Sequence, residues 1–284
     1  PVSLEIFNDV FRQSDVERTA VDAMRSLIWL EEQSAKWLAD AEGAAGAGAA
    51  IRRRYPMELA TLPKVNEPAG FNFAEVKADD TAQLEKLLGQ LGFGFQGRHR
   101  TKDVQLWTMG QARVIINEQA ARHLEPAIAA LGFDVDSPVI ASARAQQLKA
   151  PVVARKVQAD EEVFQGISAP DSTEIFLCQG SPDGTAAWTQ EFGEGLEHPS
   201  TEATAVIDHV NLAQPWQHFD EAVLFYTSAL ALEPQPFAEV PSPSGLVTAF
   251  ASLFITQTSG PTARRICSTG MAVRVATAGT YRSW

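Results

Sequence analysis

The chain has 284 residues, 45% of them hydrophobic, and a formal net charge of -12. It is long enough to bury a sizeable core and has room for about two domains, while its excess of Asp and Glu excludes a nucleic-acid surface, which needs clustered Lys and Arg. Cys178 and Cys267 are too few for a disulfide framework, and with no signal peptide and no apolar run long enough to cross a bilayer, the expected setting is cytoplasmic, away from any membrane.

Val2 to Phe7 reads as a strand, because Val2, Leu4 and Ile6 alternate with Ser3, Glu5 and Phe7 before Asn8-Asp9 ends the run. A helix follows. Ser14 and Glu17 have the spacing of a capping box, and Ala20, Val21, Met24, Leu27 and Ile28 supply the buried face. One strand and one helix cannot enclose a core, and the chain starts at Pro1 without an initiator Met. Residues 1–40 are therefore expected to be the last βα unit of a larger α/β domain. Residues 41–66 read as an interdomain linker: AEGAAGAGAA has no large side chain to pack, and Pro56 and Pro63 follow. Arg52, Arg53 and Arg54 within it read as solvated charge.

An internal repeat then begins. Phe71 to Lys77 is strand-like, Asp80 can cap a helix with the stripe Leu84, Leu87, Leu88 and Leu91, and Gly92 suits the left-handed stop. Strands follow at Phe93 to His99, Val104 to Met109 and Arg113 to Asn117, which makes a βαβββ unit. The pattern restarts with a strand over Ala127 to Val135, a helix over Pro138 to Leu148, and strands near Val152 to Val157, Val163 to Ile167 and Glu174 to Cys178. A third copy opens after Thr204, where the Val206 strand feeds a helix with the stripe Phe219, Ala222, Val223, Tyr226, Ala229 and Leu230. Paired units of this kind curl their sheets into a cup that can hold a metal and a small substrate. From Pro241 to Trp284 there is no Asp or Glu, and residues 249–284 read as an anomalous tail in which the repeat does not continue.

His209 stands on the strand of the third copy. A histidine there can offer one ring nitrogen to a metal while an acceptor orients the other. His99, His123, His198 and His218 share no such context and read as surface residues.

The run Gly70 to Asn117, in which RHRTKDVQLW is followed by a glycine turn and VIIN, resembles the first module of bacterial 4-hydroxyphenylpyruvate dioxygenases of the vicinal oxygen chelate superfamily. LGFDVD and ARAQQLKAP continue the likeness, and AVIDHV with FYTSALAL resembles the start of the catalytic half. Upstream, PVSLEIFNDVFR and its helix resemble the end of a xylose-isomerase-like TIM barrel. Such a barrel fused to a dioxygenase-like domain resembles the two-domain bacterial 3-dehydroshikimate dehydratases.

The fold class implied is α+β: tandem βαβββ vicinal oxygen chelate modules preceded by the last βα unit of a truncated TIM barrel. The dioxygenase-like domain spans 67–248, with modules at 71–117, 127–179 and 205–248, the last incomplete. The resemblance implies a lyase that dehydrates 3-dehydroshikimate to protocatechuate with a divalent metal (Mg, Mn or Co) in the barrel, and Glu5 matches the metal-ligand glutamate of the final barrel strand. It also implies Fe(II) in the dioxygenase-like domain of the intact parent, on two histidines and a glutamate, with His209 matching the first histidine. The remaining ligands and the catalytic groups have no counterpart in this sequence, so the chain taken alone is expected to be inactive. Phe73 stands where register with His209 would place a ligand, which makes the first half structural. The expected partner is a small aromatic or pre-aromatic acid, with self-association left open. Two other readings remain: a 4-hydroxyphenylpyruvate dioxygenase forming homogentisate, and a non-catalytic module for an aromatic ligand.

Overall fold

The computed structural model describes residues 4–5, 14–45, 59, 61–118, 126–193, 205–212, 218–234, 238–241, 247–250, 253–254, 272–277 and 280–281. Of the strand expected over 2–7, only Leu4 and Glu5 lie among them; both are exposed and in no strand. A parallel barrel strand needs neighbours to pair with, and none of the described strands pairs there. Helix α1 runs over Val16–Ala45, five residues into the expected linker, because alanine is the strongest helix former. Its cap is Asp15 instead of Ser14: Oδ1 accepts the Arg18 N–H at 2.8 Å. Arg52, Arg53 and Arg54 lie outside the described residues.

The repeat forms one eight-stranded sheet. Its elements are β1 (Gly70–Lys77), α2 (Ala82–Leu91), β2 (Gly94–Arg98), β3 (Val104–Met109), β4 (Ala112–Asn117), β5 (Ala127–Val135), α3 (Pro138–Gln147), β6 (Val152–Val153), β7 (Gln165–Ser168) and β8 (Glu174–Gln179). The spatial order is β2-β3-β4-β1-β5-β8-β7-β6. Within each βαβββ copy the first and last strands are parallel, β1 with β4 and β5 with β8, and the copies join through antiparallel β1 and β5. This is the tandem arrangement of vicinal oxygen chelate folds. Gly92 closes α2 at φ 99°, the left-handed conformation that glycine tolerates. Leu87 does not join the stripe of that helix; it is exposed.

All six residues of β4 are buried, because the sheet is covered on both faces. Ala74, Val76, Val114, Ile116, Leu131, Phe133, Ile175 and Leu177 form a core with the helices on the outer face. Phe73, Leu106, Ile115, Phe176 and Trp188 form a second core on the inner face.

The third copy does not open a separate cup among the described residues. Strand β9 (Val206–Asn211) is entered at Ala205, whose carbonyl accepts from the N–H groups of Gln111 and Ala112 at 2.7 and 2.9 Å. Helix α4 (Phe219–Leu230) carries the expected stripe but also buries Glu221, Phe225 and Ser228. It is enclosed on a second side by α1. Arg18 Nε bonds Glu221 Oε2 at 2.6 Å, and the Arg25 guanidinium lies 5.4 Å from the centre of the Phe225 ring. Past α4, described residues form β10 (Glu233–Pro234), β11 (Ala238–Pro241), β12 (Val247–Phe250), β13 (Leu253–Phe254), β14 (Ala272–Thr277) and β15 (Thr280–Tyr281). Strand β14 pairs antiparallel with β9, with Arg274 in register with His209, so this part of the expected tail is tied to the third copy.

The helix assigned to the barrel is fastened to the cup by buried guanidiniums: Arg25, whose Nε donates to the Leu148 carbonyl at 3.0 Å, and above all Arg144. Arg144 of α3 donates from both Nη atoms to the Glu32 carboxylate of α1, each at 2.8 Å. Its Nη1 also reaches the Pro63 carbonyl at 3.0 Å, and its Nε reaches the Ser228 carbonyl of α4 at 2.7 Å. Both side chains are buried, 5% and 7% exposed. Burial alone would raise the Glu32 carboxyl, but the hydrogen bonds and charge of Arg144 outweigh it and hold it below its ordinary value.

Removing one partner of a buried ion pair leaves an uncompensated charge, so Arg144→Met is expected to cost about 3–5 kcal/mol in urea unfolding. Arg144→Met with Glu32→Met should recover much of that loss. In the wild type the pair's contribution is complete above about pH 4.3, where an unfolded glutamate is ionised. It is lost as the pH falls through the lower folded value, which unfolding between acid and neutral pH will show.

Candidate functional site

The inner face of the sheet is the place where a cup of this kind would take a ligand, and here it is filled. Phe73 is 2% exposed and stacks on Phe176 with ring centres 6.0 Å apart. Trp188 meets Phe73 edge-on at 5.4 Å, and Phe164 and Phe192 pack against Trp188 at 6.2 and 5.8 Å. Trp188 comes from a 3-10 turn over Ala187–Glu191, and its indole N–H donates to Asn72 Oδ1 at 2.8 Å. Asn72 in turn donates to Asp134 Oδ1 at 2.6 Å.

Glu75, Ala130 and Glu174 lie in one row across β1, β5 and β8. The small Ala130 leaves space between the two carboxylates, and Arg155 Nη2 fills it, 2.7 Å from Glu174 and 3.3 Å from Glu75. The Arg155 guanidinium lies 4.1 Å from the centre of the Phe176 ring, and Asn117 donates to Glu75 at 2.7 Å. The row thus carries its own cation. Cys178 is no nucleophile here, since burial raises its thiol well above the usual range. Paired copies of this kind can hold a metal and a substrate, but here aromatic rings and a guanidinium occupy the space, in keeping with the structural role expected from Phe73.

His99 is the residue that sequence reasoning misplaced. It stands just past the edge strand β2, but its side chain is 4% exposed, because the loop to β3 meets the loop between β6 and β7 and the 3-10 turn. Its Nε2 lies 2.9 Å from Glu191 Oε2, and its Nδ1 accepts the Thr101 N–H at 3.1 Å. Thr101 Oγ1 donates to Glu161 Oε1, Lys102 Nζ bonds Glu161 Oε2 at 2.6 Å, and the Glu162 N–H donates to Glu191 Oε1 at 2.5 Å. The Lys102 and Thr101 bonds hold the Glu161 carboxyl down to about 2. Among the described residues this is the group of His, Cys, Asp or Glu with metal-ligand spacing: one ligand atom from each of His99, Glu161 and Glu191, all within 4.8 Å of one another. The signal available in the sequence was RHRTKD, a basic loop with a histidine after a strand, but its carboxylates, Glu161 and Glu191, stand 62 and 92 residues after His99.

The two residues singled out as ligands are not brought together. Glu5 is exposed. His209 is 30% exposed on β9, and its Nδ1 lies 2.9 Å from Asp208 Oδ2. Neither belongs to a ligand group among the described residues, so His209 as it stands does not fit a facial triad, which needs a second histidine and a carboxylate. His218 contacts Glu221 at 3.4 Å, whereas His123 and His198 lie outside the described residues. No described helix is long and apolar enough to cross a membrane.

Trp188→Ala would empty the centre of the inner core and is expected to destabilise the fold by about 3–5 kcal/mol in urea unfolding. Gly132→Ala should also destabilise it, because an added Cβ would stand 2.5 Å from the Phe73 ring.

Residues 66–181 match the family model described as hydroxyphenylpyruvate dioxygenase, HPPD, N-terminal. A protein of Pseudomonas putida KT2440 named 3-dehydroshikimate dehydratase is 29% identical over 259 residues, which are 87% of this chain and 39% of that protein. One of the same name from Pseudomonas aeruginosa PAO1 is 28% identical over 264 residues, 88% of this chain and 40% of that one. A solved structure titled xylose isomerase-like TIM barrel/4-hydroxyphenylpyruvate dioxygenase fusion protein superposes with a TM-score of 0.65 at 27% identity, covering 86% of this chain and 38% of that chain. The chain thus spans about two fifths of the length of the relatives it matches. By sequence and fold together, the chain is similar to part of the proteins named 3-dehydroshikimate dehydratase, and its residues 66–181 are similar to the N-terminal part of hydroxyphenylpyruvate dioxygenases.

Proposed function

We propose that this chain is the dioxygenase-like part, with the end of the barrel, of a cytoplasmic metal-dependent lyase that converts 3-dehydroshikimate to protocatechuate and water. The observation that carries the reading is the reach of the similarity. It extends over 87% of the chain and so beyond the dioxygenase-like residues 66–181. In this reading Glu5 is a carboxylate ligand at the end of the last barrel strand, where barrel active sites lie and where hard divalent ions find oxygen donors. A divalent ion bound there would polarise an oxygen of the substrate. Glu5 takes up that position only when its strand is paired with barrel neighbours, which the described residues do not include.

The rival reading, a 4-hydroxyphenylpyruvate dioxygenase, is favoured by the family match at 66–181. The absence of His209 from any ligand group among the described residues weighs against it. In both readings the inner face of the first two copies is a scaffold and does not hold the reacting substrate.

The test is a chimaera in which residues 1–284 replace the corresponding segment of the Pseudomonas putida protein behind its own barrel. With Mg, Mn or Co it is expected to form protocatechuate from 3-dehydroshikimate. Glu5→Ala should lower the rate by at least about 100-fold, the scale of losing a group that stabilises a transition state, and His209→Ala should leave it within about 3-fold. A folded chimaera with no metal-dependent product would overturn the dehydratase reading. Homogentisate formation from 4-hydroxyphenylpyruvate, lost in His209→Ala, would establish the rival.

A further inference from the structure

We propose that His99, Glu161 and Glu191 form a binding site for a divalent cation of the zinc, cobalt or manganese class, placed where the two ends of the curled sheet meet. The site is separate from Glu5 and His209 and does not depend on the dehydratase reading.

Three observations carry it. The ligand atoms come from three segments, the end of β2, the loop before β7 and the 3-10 turn, and the main-chain bonds Arg100 N–H to Glu191 and Gly193 N–H to Arg98 with the Arg100–Asp160 ion pair hold these segments in register around one point. The His99 and Glu161 side chains are 4% and 0% exposed, although both stand beside edge strands where polar side chains ordinarily face water. Each ligand is also oriented by a further group, as metal ligands are. Thr101 Oγ1 lies 3.4 Å from His99 Nδ1 and donates to Glu161. When a cation replaces the proton on Nε2, the Nδ1–H therefore has an acceptor, at the cost of the bond that Nδ1 now accepts from the Thr101 N–H. Glu191 Oε1 is fixed by the Glu162 N–H, which leaves Oε2 facing His99. Glu161 Oε2 is fixed by the Gln158 N–H at 3.0 Å and by Lys102.

The donor set names the cation class. One imidazole nitrogen with two carboxylate oxygens suits zinc and its neighbours, whereas calcium and magnesium prefer oxygen alone. Lys102 is the competing charge. Its ammonium sits on Glu161 with the side chain 31% exposed, so it can swing to water as an ion enters. A bound cation would pin the 3-10 turn that carries Trp188 and so tighten the aromatic plug.

The experiment is calorimetric titration of the metal-stripped chain with ZnCl2, CoCl2 and MnCl2, paired with Co(II) absorption spectra and thermal unfolding. The expected result is about one equivalent bound at micromolar affinity with zinc or cobalt, a ligand-field spectrum, and a raised Tm. Glu191→Gln and His99→Ala should each weaken binding by about 10–100-fold. Lys102→Met should tighten it, and His209→Ala should leave it unchanged. No saturable binding below about 1 mM in both the wild type and Lys102→Met would overturn the proposal. So would binding that Glu191→Gln leaves intact, because the ion would then sit elsewhere.

Discussion

Arg144 holds four segments of the chain at once. Its guanidinium stands on α3, grips Glu32 of α1 with two parallel hydrogen bonds, and reaches main-chain carbonyls at Pro63 and Ser228. A buried charge with five donors is tolerated only when nearly all of them are used, which constrains α1, the segment before β1 and α4 to one arrangement on the outer face. Glu5 lies eleven residues before the start of α1. If the strand carrying Glu5 belongs to a barrel, α1 is the rigid element through which that barrel is held against the dioxygenase-like half.

The inner face shows the opposite economy. A sheet of this curvature leaves a hollow that must be filled by ligand, water or side chains, and here Phe73, Phe164, Phe176, Trp188 and Phe192 fill it. The carboxylates of Glu75 and Glu174 would repel across the small Ala130 were Arg155 not between them. The polar groups are satisfied in a chain running from Trp188 through Asn72 to Asp134. This half of the domain is a packed scaffold. The proposed cation site lies apart from it at the rim, where His99, Glu161 and Glu191 meet.

Much of this architecture was legible in the residues. The short apolar runs of β1, β3, β4 and β5 and the stop at Gly92 placed the strands and helices of both copies, and the repeat disclosed their symmetry. Phe73 was legible as a filler because an aromatic stood at a ligand's place. What failed were statements that depended on partners distant in sequence. The Phe219 helix was read as having one buried face, but α1 covers a second, so Phe225 and Glu221 are buried as well. Likewise, nothing local in RHRTKD says that His99 is enclosed, since its two carboxylates arrive from the far end of the second copy. The helix within residues 1–40 reads as the end of a larger α/β domain because one strand and one helix cannot enclose a core, and its contacts with Arg144 and Glu221 cannot be read from its own periodicity.

The claim on which the account depends is that α1 and the cup are one folded unit welded at Arg144. Native-state hydrogen exchange of the backbone amides in α1, compared with those in β1 and β5, tests it directly. The account predicts that the α1 amides around Glu32 open with the same free energy as the central strands and lose that protection together with α4 in Arg144→Met. Amides in α1 that exchange freely while β1 and β5 remain protected in the wild type would contradict it.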